Sequence, residues 1–253
     1  MKGQTDLLLC NNLKELKLSS MLKHYQAQSR QSSEAGMSYE DFLLSLTEIE
    51  LQVRSENRLK RYLREANFPL TKTLENFKFE SAPGLDKRLI VELSTGRYIK
   101  EKRNVIFVGK TGAGKTHLSI GLGIDACRHG IRTKFITGSK LVNELIELRD
   151  ERLLSKAIKR YTKYGLLVLD ELGYIPFSKE GSELLFQLLS ERNEIGSVII
   201  TTNLGFSDWT QIFGEATLTA ALLDRLTHRA HIIECDWDSY RLKNSIKLQN
   251  MDR

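Results

Sequence analysis

The sequence predicts an α/β fold in which a five-stranded parallel sheet is flanked by helices and preceded by a small all-helical domain. Five short apolar segments alternate with helical stretches in the C-terminal two thirds, which is typical of parallel strands joined by crossover helices. Nearer the N-terminus, apolar residues recur at steps of three and four, as on amphipathic helices. We therefore expect a helical domain at 1–68, a connector at 69–84 that carries two of the three prolines, and an α/β domain at 85–253.

Composition limits the class of protein. The 253 residues carry a formal net charge of +6, which favours a polyanionic partner without establishing one. We find neither an apolar run of the ~20 residues that cross a bilayer nor a secretory signal, so we expect a cytoplasmic chain with no membrane partner. The three cysteines, Cys10, Cys127 and Cys235, lack C-x-x-C spacing, so neither a disulfide framework nor a zinc site is expected.

The N-terminal periodicity predicts two helices. Apolar residues from Leu7 to Tyr25 fit one short amphipathic helix, and the polar, serine-rich stretch 28–36 separates it from the next. Ser38 followed by Asp41 resembles a capping box and predicts the start of a long helix. Its buried stripe would be formed by Phe42, Leu46, Ile49 and Val53.

A glycine-rich loop follows the first apolar strand, Val105–Val108, and precedes a helix-forming segment. Residues 109–116 read GKTGAGKT and match the complete G-x-x-x-x-G-K-T pattern. In such a loop the backbone N–H groups converge on phosphate oxygens, Lys115 reaches the terminal phosphates and Thr116 can ligate Mg²⁺. The sequence therefore predicts a nucleoside triphosphate site.

Two carboxylates follow another apolar strand, Leu166–Leu169. Asp170 is placed to hold Mg²⁺, and Glu171 can act as the base that polarises the attacking water. Because parallel strands present their carboxyl ends at one edge of the sheet, these acids should lie near the phosphate loop. Hydrolysis is expected in addition to binding.

A neutral amide, Asn203, ends the strand Ser197–Thr202 at the corresponding edge. It can orient the attacking water or contact the γ-phosphate without adding negative charge. The alternative is a turn residue or a helix cap.

This succession of motifs resembles the AAA+ ATPases, and within them the IstB helpers of insertion-sequence transposition and the related DnaC helicase loaders. The resemblance covers residues 70–245. It is carried by the segments Gly112–Leu118, Leu169–Tyr174, Ile200–Leu204, Leu223–Leu226 and Asp236–Arg241.

The resemblance implies an AAA+ P-loop NTPase whose sites are shared between subunits. Arg225 would be the arginine finger that one subunit places against the γ-phosphate of its neighbour, with Arg229 as the possible substitute. Residues 236–253 are too few for a full helical lid, so we expect the lid to be largely absent, and Arg241 is the remaining sensor candidate. The nucleotide contacts would come from Gly109, Lys110, Thr111, Gly112, Ala113, Gly114, Lys115, Thr116 and His117.

Basic residues cluster on two predicted helices. Lys156, Lys159, Arg160 and Lys163, here called the basic ridge, fall on one helical face. AAA+ initiators carry a DNA-contacting surface in this part of the chain, so the resemblance makes the basic ridge a DNA-binding candidate; the alternative is a solvated face. A second run, Arg54–Arg64, is interrupted by Glu56 and leaves DNA contact and solvation equally open.

The function expected from sequence is that of an ATP- and Mg²⁺-dependent AAA+ regulator that binds duplex DNA and forms homo-oligomers on it. It would assist a transposase in target selection or remodelling during DNA transposition and recombination. The alternatives are a DnaC-type helicase loader, a P-loop small-molecule kinase, and a scaffold that binds ATP without hydrolysing it.

Overall fold

A computed structural model of the chain describes residues 2–240 and divides the chain into two compact units between Arg61 and Tyr62. The division lies close to the domain boundary that the sequence places at residue 68. The division into a helical domain at 1–68, a connector at 69–84 and an α/β domain at 85–253 stays a prediction.

The first unit is helical. It contains α1 (Lys2–Glu15), α2 (Ser19–Glu34) and most of α3 (Tyr39–Ala66). Ser38 Oγ accepts a hydrogen bond from Asp41 N at 3.1 Å, which confirms the predicted start of the long helix. The buried core of this unit is formed by Leu13, Met21, Tyr25 and Leu46.

The expectation of one helix from Leu7 to Tyr25 is wrong, because the chain turns at Lys17. Lys17 adopts the left-handed conformation (φ 56°) and Leu16 before it is exposed, so α1 and α2 are separate helices. The serine-rich stretch is also helical as far as Glu34. Ser32 is buried there, so tertiary packing overrides the weak helix propensity of serine.

A buried carboxylate fastens the turn between α1 and α2 to α3. Glu50 Oε2 accepts hydrogen bonds from Ser20 N (2.8 Å) and Met21 N (3.1 Å), at the N-terminus of α2. Arg54 pairs with Glu50 Oε1 (2.7 Å) and donates to Lys17 O (2.7 Å). Burial raises the pKa of Glu50, but these hydrogen bonds outweigh it, so its pKa lies below the ordinary value.

The second unit is built on a parallel sheet with helices on both faces. Its strands are β1 (Asn104–Gly109), β2 (Thr133–Thr137), β3 (Leu166–Asp170), β4 (Ser197–Thr202) and β5 (Ala230–Cys235). Its further helices are α4 (Lys87–Ser94), α5 (Arg97–Lys100), α6 (Lys115–Arg128), α7 (Gly138–Asp150), α8 (Leu154–Thr162), α9 (Lys179–Arg192), α10 (Thr210–Phe213) and α11 (Ala216–Thr227).

The strand order is β2-β3-β4-β1-β5, and every pair is parallel, which confirms the predicted five-stranded sheet. Alternate residues of β1 enter different cores: Ile106 packs in the core that includes residues of α7, α8, α9 and α11, whereas Val105 and Phe107 pack in the core that includes α4 and α6. This order sets the carboxyl ends of β1, β3 and β4 side by side.

The predicted connector packs on the second unit. It contains two short 3₁₀ helices, Leu74–Asn76 and Phe79–Ser81, and Leu74, Phe77 and Phe79 lie against the core that includes α6. The predicted connector is therefore a packed part of the second unit.

Residues 241–253 lie outside the described residues, and with them Arg241 and most of the segment on which the expected lack of a lid rests. Among the described helices, none combines the length and apolar character needed to cross a bilayer.

Candidate nucleotide-binding site

The phosphate loop joins β1 to α6 in a conformation that only its glycines adopt easily. Gly112 (φ 83°) and Gly114 (φ 94°) are left-handed. A Cβ on Gly109 would lie 2.3 Å from Cys235 O, so β5 leaves no room for a side chain there. Lys115 Nζ donates to Gly109 O (2.6 Å) and Lys110 O (2.8 Å), which holds the ammonium over the loop where phosphates would bind.

Asp170 connects three parts of the site. Its Oδ1 accepts hydrogen bonds from Thr116 Oγ1 at 3.0 Å and from Thr201 Oγ1 at 2.6 Å. Burial raises the pKa of Asp170, while these two hydrogen bonds and the charge of Lys115 act in the opposite direction. The side chain is 3% exposed, so it is fixed in place beside the phosphate loop.

Glu171 and Asn203 are brought to the same cavity, as their positions after β3 and β4 predict. Both are exposed, which leaves their side chains free to meet a ligand. Glu171 has a left-handed backbone (φ 55°), and its N–H donates to Thr201 Oγ1 at 2.9 Å. The structure therefore groups Lys115, Thr116, Glu171 and Asn203 around one space, and Asp170 is bonded to two residues that line it, Thr116 and Thr201.

That space is a cavity of about 370 Å³, a size that suits a small-molecule ligand. One wall comes from the segment 72–82, which sequence reasoning did not assign to the site. Phe77 packs against His117 with ring centroids 5.3 Å apart, and a Cβ on Gly114 would meet the Phe77 ring at 2.8 Å. His117 also bonds through Nε2 to Thr73 O at 2.8 Å. Lys72 and Lys78 add positive charge to this wall.

The chain after β5 closes the other side of the phosphate loop. Trp237 Nε1 donates to Ala113 O (2.9 Å) and Tyr240 N donates to Gly112 O (3.1 Å). Lys110 Nζ donates to Asp236 O at 2.9 Å. Trp237 and Tyr240 line the cavity. The sequence analysis assigns no contact to Trp237 or Tyr240; two aromatic residues just beyond the last strand were the available signal.

Arg225 does not line this cavity. It lies near the end of α11, donates to Ser190 Oγ and stacks over the Phe186 ring at 4.9 Å. It is exposed, beside a separate pocket of about 200 Å³ that it shares with Arg229. The described residues that line the nucleotide cavity include no arginine.

The basic ridge lies on α8 and just after it, as predicted. All four of its side chains are exposed, and Ala157, Ile158 and Tyr161 are buried on the opposite face. Arg160 is already engaged, because it forms an ion pair with Glu144 of α7 and stacks over Tyr161 at 5.1 Å. Tyr161 also donates to Glu144 Oε2 at 3.0 Å.

The sheet order, the phosphate loop after β1 and the acidic pair at the end of β3 together define an AAA+ P-loop ATPase. Residues 11–248 match the family described as IstB-like ATP binding protein. The chain belongs to this family.

Two relatives have nearly the same length as this chain. One, from Bacillus thuringiensis subsp. berliner, is named for insertion sequence IS232 and ATP binding; it is 35% identical over 242 residues, which cover 96% of this chain and 97% of the relative. The other, from Pseudomonas aeruginosa, is named for insertion sequence IS21 and ATP binding. It is 35% identical over 235 residues, covering 93% of this chain and 89% of the relative.

Solved structures share the fold. The DnaC helicase loader superposes with a TM-score of 0.55 at 24% identity, covering 70% of this chain and 99% of that one. The replication initiator DnaA, solved with AMPPCP and single-stranded DNA, gives a TM-score of 0.55 at 19% identity and covers 73% of this chain and 57% of that one. At these identities the likeness concerns the fold.

Proposed function

We propose that this ATPase is a DNA-binding regulator that assembles on duplex DNA in its ATP-bound state and assists a transposase in choosing or remodelling its target. The observation that carries the proposal is the convergence of Lys115, Glu171 and Asn203 on one cavity, with Asp170 bonded to Thr116 at its wall, in a chain whose relatives are named for insertion sequences.

Each group at the cavity has a chemical task in hydrolysis. Lys115 binds the terminal phosphates, Glu171 takes the proton of the attacking water, and Asn203 orients that water. The Thr116 hydroxyl and the Asp170 carboxylate supply hard oxygen atoms side by side, since Thr116 Oγ1 lies 3.0 Å from Asp170 Oδ1, and these two residues would hold Mg²⁺ directly or through water. Bound there, Mg²⁺ would neutralise negative charge on the phosphates.

The transition state needs a further cation, and we assign it to Arg225 of a neighbouring subunit. Support comes from the location of Arg225 away from the cavity of its own chain and from its exposed position on α11. An arginine delivered in this way typically accelerates hydrolysis by roughly 10³- to 10⁵-fold. Hydrolysis would then depend on assembly.

DNA would bind along the basic ridge through its phosphates, with little reading of bases. Lys156, Lys159 and Lys163 are exposed and free to reach phosphates, whereas Arg160 must first leave Glu144. Changing Lys159 and Arg160 to Ala should flatten the plot of log affinity against log salt by about 0.9 for each lost contact, on unrelated duplexes alike. An unchanged slope would move the DNA site to the run Arg54–Arg64.

The partner is tested by a strand-transfer assay with the transposase encoded by the same insertion sequence. Adding this chain with ATP should increase insertion into target DNA and change the distribution of insertion sites. The Lys115→Ala variant should do neither. Equal insertion with and without the wild-type chain, at concentrations that saturate DNA, would contradict the proposal.

A helicase loader is the second candidate, because the DnaC loader shares the fold over 99% of its own length. It predicts that the chain binds a replicative helicase and deposits it on single-stranded DNA. A helicase-loading assay run beside the strand-transfer assay separates the two functions.

A further inference from the structure

One threonine hydroxyl connects both acidic residues of the site. Thr201 lies in β4, is 1% exposed, and donates through Oγ1 to Asp170 Oδ1 at 2.6 Å. The same oxygen accepts the Glu171 N–H at 2.9 Å. Since a hydroxyl has one proton to donate and lone pairs with which to accept, both bonds form at once.

The first bond orients the Asp170 carboxylate. Thr116 and Thr201 both donate to Oδ1. Within the described residues, Oδ2 is thus the oxygen that these two hydroxyls leave for a cation or its bound water. Thr116 belongs to α6. Without the Thr201 hydroxyl, Asp170 Oδ1 would keep only the hydrogen bond from Thr116 of these two.

The second bond supports a costly backbone conformation. The left-handed region is unfavourable for a residue other than glycine, and Glu171 occupies it at φ 55°. Thr201 holds this turn twice, because its carbonyl also accepts the Leu172 N–H at 2.9 Å. The direction in which the Glu171 side chain leaves the sheet therefore depends on Thr201.

We propose that Thr201 is a positioning residue for ATP hydrolysis, which sets Asp170 and Glu171 in their working orientations through one hydroxyl group. The inference rests on the proposed roles of those two acids. Loss of the Thr201 hydroxyl would therefore slow the chemical step and leave the affinity for nucleotide nearly unchanged.

The test compares Thr201→Val, which removes the hydroxyl at constant shape, with Thr201→Ser, which keeps it. Thr133→Val is the matched control, because Thr133 is a buried threonine of the same sheet whose hydroxyl bonds Ile131 O at 3.2 Å. Thr201→Val should lower kcat about 10- to 100-fold, the usual loss when a group behind a ligand residue is removed. Thr201→Ser should restore most of the rate.

Nucleotide binding supplies a readout that does not depend on turnover. The Kd of a fluorescent ATP analogue, measured without Mg²⁺, should stay within about twofold of wild type in Thr201→Val, because Lys115 and the loop are untouched. The proposal is overturned if kcat falls no further than in Thr133→Val. It is also overturned if Kd and melting temperature deteriorate together with kcat and Thr201→Ser rescues none of them.

A double variant separates this inference from the assignment of the base. If Thr201 acts partly through Glu171, Thr201→Val should cost less in a Glu171→Gln background than in the wild type. If Thr201→Val lowers kcat by the same factor in both backgrounds, Thr201 does not act through Glu171. A Glu171→Gln single variant that hydrolyses ATP at the wild-type rate would instead refute the proposed base, whatever Thr201 does.

Discussion

The Thr116 hydroxyl donates to Asp170 Oδ1 across 3.0 Å and so joins the first turn of α6 to the end of β3. Two residues separated by more than fifty positions in sequence thereby present their oxygens at one point. The roles proposed above give phosphate binding and hydrolysis to different side chains, so we expect substitutions to separate them.

Lys115→Ala should weaken ATP binding, because it removes the ammonium held over the loop, whereas Glu171→Gln should bind ATP normally and turn it over slowly. Binding of a fluorescent ATP analogue and steady-state phosphate release measure the two effects. Since Glu171 is exposed, its change to Gln leaves packing intact. A Glu171→Gln variant with wild-type kcat at saturating ATP and Mg²⁺ would remove Glu171 as the base.

Arg225→Ala and Lys115→Ala proteins, each nearly inactive alone, should regain part of the ATPase activity when mixed. A mixed interface can pair an intact Arg225 with an intact phosphate loop in the adjacent subunit. Arg229→Ala is the control, because Arg229 is also exposed and lines the same small pocket. No recovery in oligomers proven to be mixed would contradict a role for Arg225 in the neighbouring subunit. If Arg229→Ala is inactive alone and recovers with Lys115→Ala, whereas Arg225→Ala stays active alone, the two arginines exchange roles.

Glu144→Gln should strengthen DNA binding at low salt. The change neutralises the partner of Arg160 while keeping an acceptor for Tyr161, so Arg160 becomes free to contact phosphate. The salt slope should steepen by about 0.9, and the effect should vanish when Arg160 is Ala. Fluorescence anisotropy over a salt series measures it. Glu147→Gln, an exposed carboxylate on the same helix, controls for net charge, and an equal effect there would refute the specific pair.

Glu50→Gln should loosen the start of α2, because Ser20 N and Met21 N would lose a charged acceptor, at a cost of about 1–3 kcal/mol. The folded pKa of Glu50 lies below its ordinary value of 4.5, so the stabilisation is present above that pH and is lost as pH falls through the folded pKa.

Hydrogen exchange of the α2 amides, corrected for the intrinsic rate at each pH, reports this effect in the full chain. Glu48→Gln, which alters an exposed carboxylate of α3, should exchange like wild type. A difference between wild type and Glu50→Gln that stayed constant well below pH 4.5 would contradict the assigned cause.

The sheet and the phosphate loop could be predicted because their signals are local. A run such as Leu166–Asp170 is apolar up to its last residue, and the carboxyl ends of parallel strands lie together at one edge of the sheet. The alternation of apolar and helical segments thus determines both the fold and where Lys115, Asp170 and Asn203 meet.

The walls of the cavity could not be predicted, because they depend on tertiary contacts with no periodic signal. Phe77 lies in a segment whose sequence predicts a connector. Trp237 contacts Ala113, from which it is 124 positions away in sequence. Pairing of Arg160 with Glu144 likewise joins two helices whose sequences suggest no partnership. The turn at Lys17 uses a left-handed lysine, for which sequence gives no warning.

If nucleotide state controls assembly on DNA, mass photometry of Glu171→Gln on one duplex should differ between samples with ATP and samples without nucleotide. With ATP and Mg²⁺ we expect multi-subunit complexes on DNA, because many basic ridges bind together only in the assembled state. These complexes should be lost without nucleotide. The Lys115→Ala variant should form none under either condition. The same distribution of complexes with and without ATP would contradict the claim.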